Sequence, residues 1–111
     1  MIYQAIIKLY FYIPKEQKEE VKQALFNLGL GKISPESNYD SCSFETLGSG
    51  QFRPINNAKP FIGSLSELEV LQEYKVEMIC PEELIVEAVM LLKEVHPYEE
   101  VAYEVVKLEV F

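Results

Sequence analysis

A unit of strand, proline and helix occurs twice in this chain, and the doubling restricts the fold more than any other feature of the sequence. In the first copy Tyr3, Ala5, Ile7, Leu9, Phe11 and Ile13 are apolar at every second position, while the interleaved Ile2, Gln4, Ile6, Lys8, Tyr10 and Tyr12 are mixed. A period of two is that of a strand with one dry face. Pro14 breaks the strand, and Val21, Ala24, Leu25 and Leu28 then recur at helical spacing. A helix is expected from about Lys15 to Leu28, with Lys and Glu on its wet side and Gly29 and Gly31 supplying the permissive backbone of its end. In the second copy Tyr74, Val76, Met78 and Cys80 alternate up to Pro81, and Ile85, Ala88, Val89 and Leu92 take helical spacing. That helix should stop near His96, because the residue before Pro97 is pushed out of helical geometry. A shift of 67 positions lays Pro14 on Pro81, Val21 on Ala88, Leu25 on Leu92 and Leu28 on Val95. The remaining strands are expected at Asn38 to Leu47 and at Ala102 to Phe111.

A doubled βαβ unit is the ferredoxin-like α+β sandwich, βαββαβ in order, with both helices on one face of an antiparallel sheet. The other face then carries Ile2, Ile6, Tyr10 and Tyr12, and self-association through the sheet is the simplest way to cover it. Between the units, residues 36–66 lack long periodicity and are punctuated by Gly48, Gly50, Pro54, Pro60 and Gly63. Ser43 to Leu47, Gly48-Ser49-Gly50 and Gln51 to Arg53 read as a strand, a tight reversal and a return strand, an elaborated β-hairpin insertion. Long insertions of this kind are usually functional or part of an interface.

At 111 residues, 49% apolar and 25% charged, the chain has the size and balance of one globular domain spanning 1–111. A net charge of −8 disfavours phosphate backbones and anionic lipid, so neither nucleic acid nor a membrane surface is expected as a partner. Gln4 and Lys8 interrupt the N-terminal apolar run, no small-residue cleavage site follows it, and no stretch is long enough to span a bilayer. A cytoplasmic location is the expectation. Cys42 and Cys80 lie far apart, outside any C-x-x-C pair, and are expected as free thiols.

The chain's single Asp, Arg and His are Asp40, Arg53 and His96, and all three fall in the irregular insertion or its counterpart after the second helix. Asn38, Tyr39, Asp40, Ser41 and Cys42 form a run rich in hydrogen-bonding groups, which fits a turn that caps itself and equally a polar ligand cradle. His96, Tyr98, Glu99 and Glu100 form the second run. A protonated His96 at a helix C-terminus gains from the carbonyl dipole, which would explain its placement without a ligand. These residues with Arg53 are the candidate ligand-binding set, expected to converge on one cleft within a subunit or across a subunit boundary. No catalytic residue is assigned: Cys42 is a nucleophile only with a base beside it. No metal site and no cofactor are expected, since one His with nearby Glu is a thin ligand set and the nucleotide, zinc-protease and nucleophile-elbow motifs are all missing.

Four segments, Asn38-Tyr39-Asp40-Ser41-Cys42-Ser43-Phe44, Gly48-Ser49-Gly50-Gln51-Phe52-Arg53-Pro54, Asn57-Ala58-Lys59-Pro60-Phe61-Ile62-Gly63 and His96-Pro97-Tyr98-Glu99-Glu100-Val101-Ala102-Tyr103, occur in this order. With them the chain resembles the inserted domain of the Nif-three-like dinuclear-metal proteins and the short stand-alone proteins related to it. The resemblance covers essentially the whole chain. It implies a domain similar to the PII signalling proteins and to CutA, assembling as a homotrimer. It also implies that the metal of the larger relatives sits in flanking domains, so that a hydrolase or cyclohydrolase activity is not carried over.

Three functions compete at this point. One is a non-enzymatic oligomeric binding or regulatory module for a small molecule or a partner protein. The alternative is a CutA-like divalent metal-binding protein. The third is a small hydrolase using Cys42 or His96.

Overall fold

The computed structural model describes residues 6–109 and 111, and its elements follow the doubled unit. They are β1 (Ile6–Ile13), α1 (Lys15–Leu28), β2 (Phe44–Phe52), β3 (Glu69–Pro81), a 3-10 turn at Glu82–Leu84, α2 (Ile85–Val95) and β4 (Tyr103–Leu108). The strands form one antiparallel sheet in the order β2-β3-β1-β4, the ferredoxin-like α+β arrangement. Ile7, Leu9, Phe11 and Ile13 face the helices and are buried, and in the register they oppose Cys80, Met78, Val76 and Tyr74 of β3. Val21, Leu25 and Leu30 with Ala88 and Leu92 close the core over them. Each large side chain buried there contributes about 1.5–3 kcal/mol. The strand positions expected at Ile2, Tyr3, Gln4 and Ala5, and Val110 of the last strand, lie outside the described residues.

Helix ends fall where backbone chemistry puts them. Gly29, at φ 126, closes α1 with its N–H on the Leu25 and Phe26 carbonyls. α2 stops at His96, whose ψ of 138 is the extended geometry a following proline demands.

Two expectations are corrected. The reversal expected at Gly48-Ser49-Gly50 does not occur: β2 runs unbroken from Phe44 to Phe52, and the chain turns back later, through residues 53–68. Gly50 serves a close approach instead, since a Cβ there would lie 1.8 Å from Oε1 of Glu73. The α1 lysines are not all solvated either. Lys18 and Lys22 are each only 9% exposed and both donate to the Glu45 carboxylate of β2, Lys18 at 2.7 Å. Lys18 also lies 3.9 Å from the centre of the Tyr74 ring. Burial alone would raise the Glu45 carboxyl, but the two ammonium donors outweigh it and hold it below its usual range.

β1 reaches β3 only from Tyr74 to Pro81, so Glu69 to Glu73 pair with Gly48 to Phe52 of β2 alone. A two-stranded arm therefore projects past the four-stranded sheet and contributes to a longest dimension of 54 Å against 24 and 23 Å across. A two-stranded ribbon is marginal by itself and needs packing to hold it.

Candidate functional site

Packing for the arm comes from the connection between α2 and β4. His96 is 5% exposed and both of its ring nitrogens are occupied by backbone. Nε2 lies 2.8 Å from the Tyr12 carbonyl, and the Tyr98 N–H donates to Nδ1 at 3.1 Å. The pattern requires the neutral tautomer with its proton on Nε2, because Nδ1 must accept. Burial pushes the His96 pKa down, against the smaller opposing pulls of the Tyr12 carbonyl and Glu73. The dipole benefit expected for a protonated His96 is therefore not what places it. His96 pins the connection to the end of β1 and orients Tyr98.

The Tyr98 ring stands edge-on to His96 at 4.7 Å and donates its hydroxyl to Oε2 of Glu73 at 2.8 Å. Burial first, and then the Glu73 bond, keep this phenol protonated well above the usual tyrosine range. Phe52 and Phe61 flank it, with ring centres 6.3 and 6.4 Å away and tilts of 51° and 45°. Glu99 accepts the Lys59 N–H at 2.9 Å, which ties the loop after β2 to the same connection. Between these walls lies a cleft of about 950 Å³, bounded by Tyr12, the β2 end from Ser49, the 53–62 stretch, Glu73 and Tyr98 to Glu100. Its size is that of small-molecule sites.

The candidate residues divide. Arg53, Tyr98, Glu99 and Glu100 line this cleft, and His96 supports it from behind. Asn38 to Cys42 are all exposed and lie elsewhere in the chain. Their segment is anchored by the Cys42 N–H on the Gly31 carbonyl at 3.0 Å, and the Gly31 N–H in turn donates to Ile79. Ile79 opposes Lys8, whereas His96 holds Tyr12, so the two segments attach at opposite ends of β1, roughly 13 Å apart at strand rise. Within 38–42 the bonds are local: the Ser41 hydroxyl donates to Asp40 at 3.0 Å, and Ser41 takes a positive φ of 56. Among the described residues Arg53 forms no ion pair, with Asp40, Glu99 or any other carboxylate. Cys42 is an exposed free thiol and Cys80 a buried one, its pKa raised to about 11 by burial. Among the described residues no three His, Cys, Asp or Glu side chains cluster as metal ligands would, and no helix is long and apolar enough to cross a membrane.

Glu73, Phe52, Phe61 and the Lys18–Glu45–Lys22 cluster escaped the sequence reading. A signal for Glu73 existed in the alternation of Glu69, Leu71, Glu73, Lys75 and Glu77, which extends the β3 strand toward its N-terminus with a mixed face.

No family model matches the chain. The GTP cyclohydrolase 1 type 2 homolog of Bacillus subtilis is 41% identical over 92% of this chain and 26% of its own length, and that of Mycobacterium tuberculosis is 36% identical over 91% and 26%. The crystal structure of a Bacillus cereus protein related to NIF3 superposes with a TM-score of 0.80 at 32% identity, covering 99% of this chain and 27% of that one. The divalent ion tolerance protein CutA1 of Ehrlichia chaffeensis superposes at 0.69 with 14% identity, covering 99% and 87%, and shares the fold. The chain spans about a quarter of the length of the curated relatives it matches. The chain is thus homologous to a stretch of NIF3-family proteins and has the CutA-like fold.

Proposed function

We propose that residues 1–111 form one non-enzymatic binding or regulatory module, which works as a homotrimer and takes a small ligand in the cleft beside Tyr98. The carrying observation is the helix-free face of the sheet. Ile6, Tyr10, Tyr12 and Leu108 are only partly covered there, and Val106 is 36% exposed. The charged side chains of this face have partners within the chain, one of them an ion pair. Lys8 pairs with Glu77 at 3.6 Å, the Lys75 ammonium lies 4.7 Å from the centre of the Tyr10 ring, and the Tyr12 hydroxyl donates to Glu104 at 2.5 Å. The last bond pushes the Tyr12 phenol up to about 12. Charged groups that already have partners make a face less costly to cover by further copies, and a closed ring satisfies every copy equally. The proposed compartment is the cytoplasm, in keeping with two unpaired cysteines of which Cys42 is exposed. The cyclohydrolase name belongs to relatives of which this chain matches about a quarter, and no such activity is proposed for it.

Light scattering at about micromolar concentration tests the assembly, since most specific complexes bind tightly enough to persist there. A mass three times the 12.8 kDa of the chain is expected, and a monomer would overturn the reading. Tyr10 lies between Glu77 and Glu104 in the register, so Tyr10→Glu would strain the monomer as well as the assembly. Tyr10→Lys is the cleaner variant. The new ammonium would lie between the two carboxylates, though it takes from Lys75 the ring it now faces, and burying it under a partner costs several kcal/mol, so dissociation is expected. An intact trimer would place the interface elsewhere.

A further inference from the structure

We propose that the cleft selects a planar aromatic compound carrying one anionic group, a carboxylate or a phosphate, with its ring against Phe61 and Tyr98 and its anion on Arg53. The inference rests on the reading of the protein as a binding module and narrows it to a ligand class. Three features carry it. First, the aromatic wall is built in advance: Tyr98 is fixed at its N–H by His96 and at its hydroxyl by Glu73, while Phe61 is 52% exposed and has ring surface left to cover. A flat ring gains offset or edge contacts there without reordering the protein.

Second, the charges at the cleft are not equally available. Glu73 already accepts from Tyr98 and Glu99 from the Lys59 N–H, whereas the Arg53 guanidinium has no ion-pair partner among the described residues. A planar guanidinium matches a carboxylate or phosphate with two parallel hydrogen bonds and stacks on rings besides. Third, Glu100 also bounds the cleft and the chain carries a net charge of −8, so a polyanion is repelled. A single anionic group on a ring is what these features leave.

The probes are benzoate and phenyl phosphate, with benzamide as the neutral analogue, benzamidine as the cationic one, and acetate and inorganic phosphate as anions without a ring. Binding to the protein in its native assembly is followed by amide and aromatic NMR shifts of cleft residues, at moderate salt. Fragments of this size are expected to bind in about the millimolar range. Benzoate or phenyl phosphate should bind about tenfold or more tightly than benzamide, the two anions separating a carboxylate from a phosphate source. Arg53→Gln should erase that preference while benzamide binding persists, and Phe61→Ala should weaken all the ring probes. Arg53 is exposed, so its replacement leaves the fold intact. Preference for benzamidine, or equal binding of acetate and benzoate, would overturn the ligand class and leave the cleft as a site. If no ring probe shifts the cleft resonances, both the class and the cleft as a small-molecule site fall, while the assembly is judged separately by its mass.

Discussion

Residues 38–42 and 96–100 are both rich in hydrogen-bonding side chains, yet the fold treats them in opposite ways. The first run bonds to itself and to the adjacent Ser37 and keeps all five residues exposed, with one backbone bond to Gly31 as its tie to a distant part of the chain. The second is bonded at every turn to something distant in sequence: His96 to Tyr12, Tyr98 to Glu73 and Glu99 to Lys59. Polar content alone does not make a site. What distinguishes the second run is that its partners come from three separate strands and loops, so the side chains it leaves free are presented on a rigid wall.

The contrast can be broken most severely at His96. His96→Ala leaves the Tyr12 carbonyl and the Tyr98 N–H without partners in a buried place and opens a void, so a loss of about 3 kcal/mol is expected in chemical denaturation. The pH dependence follows from the same geometry. The folded pKa of His96 lies below its ordinary 6.5, so below pH 6.5 the unfolded chain binds the extra proton and the folded one resists it. The contribution of His96 is fully present above about pH 6.5 and is lost as the pH falls from there toward the lowered folded value. In an NMR titration the His96 ring should therefore stay neutral to lower pH than a free imidazole, and a midpoint at or above 6.5 would contradict a neutral, buried His96 held between Tyr12 and Tyr98.

A smaller effect is expected at Gly50. An added Cβ would meet Glu73 Oε1 at 1.8 Å and Cδ at 2.8 Å, and the flexible carboxylate can move away only by leaving Tyr98. Gly50→Ala should cost about 1 kcal/mol, the usual size of a lost hydrogen bond, and should loosen the Tyr98 ring in NMR relaxation. An unchanged Tyr98 would mean that Glu73 does not hold it. Least of all is expected at Asp40, where Asp40→Ala should change stability by no more than about 0.5 kcal/mol in the same denaturation assay. A large loss there would make the first run as integral as the second.

The parts of the fold legible in the sequence were those that bury one face. The period of two in β1 and the helical spacing of α1 and α2 reflect contact with a dry core, and each element lies where its pattern ends at Pro14, Gly29 or His96. Where no face is dry, pattern reading failed. The arm of β2 and β3 pairs Gly48 to Phe52 with Glu69 to Glu73, residues with no buried side among them, and Gly50 looked like part of a turn because the Glu73 carboxylate occupies the space its side chain would need. Lys18 and Lys22 looked like solvated surface because their partner, Glu45, comes from a strand across the sheet. The rarity of Arg, Asp and His pointed to the right neighbourhoods, but which of them share a wall depends on strand register, and no local pattern carries that.

Amide hydrogen exchange at single-residue resolution compares the two runs most directly, because it reads whether a backbone N–H is held. The Tyr98 and Lys59 amides, bonded to His96 and Glu99, should exchange slowly, while Asp40 and Ser41 exchange near the rate of an open chain. Fast exchange at Tyr98 together with protection at Asp40 and Ser41 would contradict the assignment of the site to the 96–100 wall and move it to a surface covered by another copy of the chain.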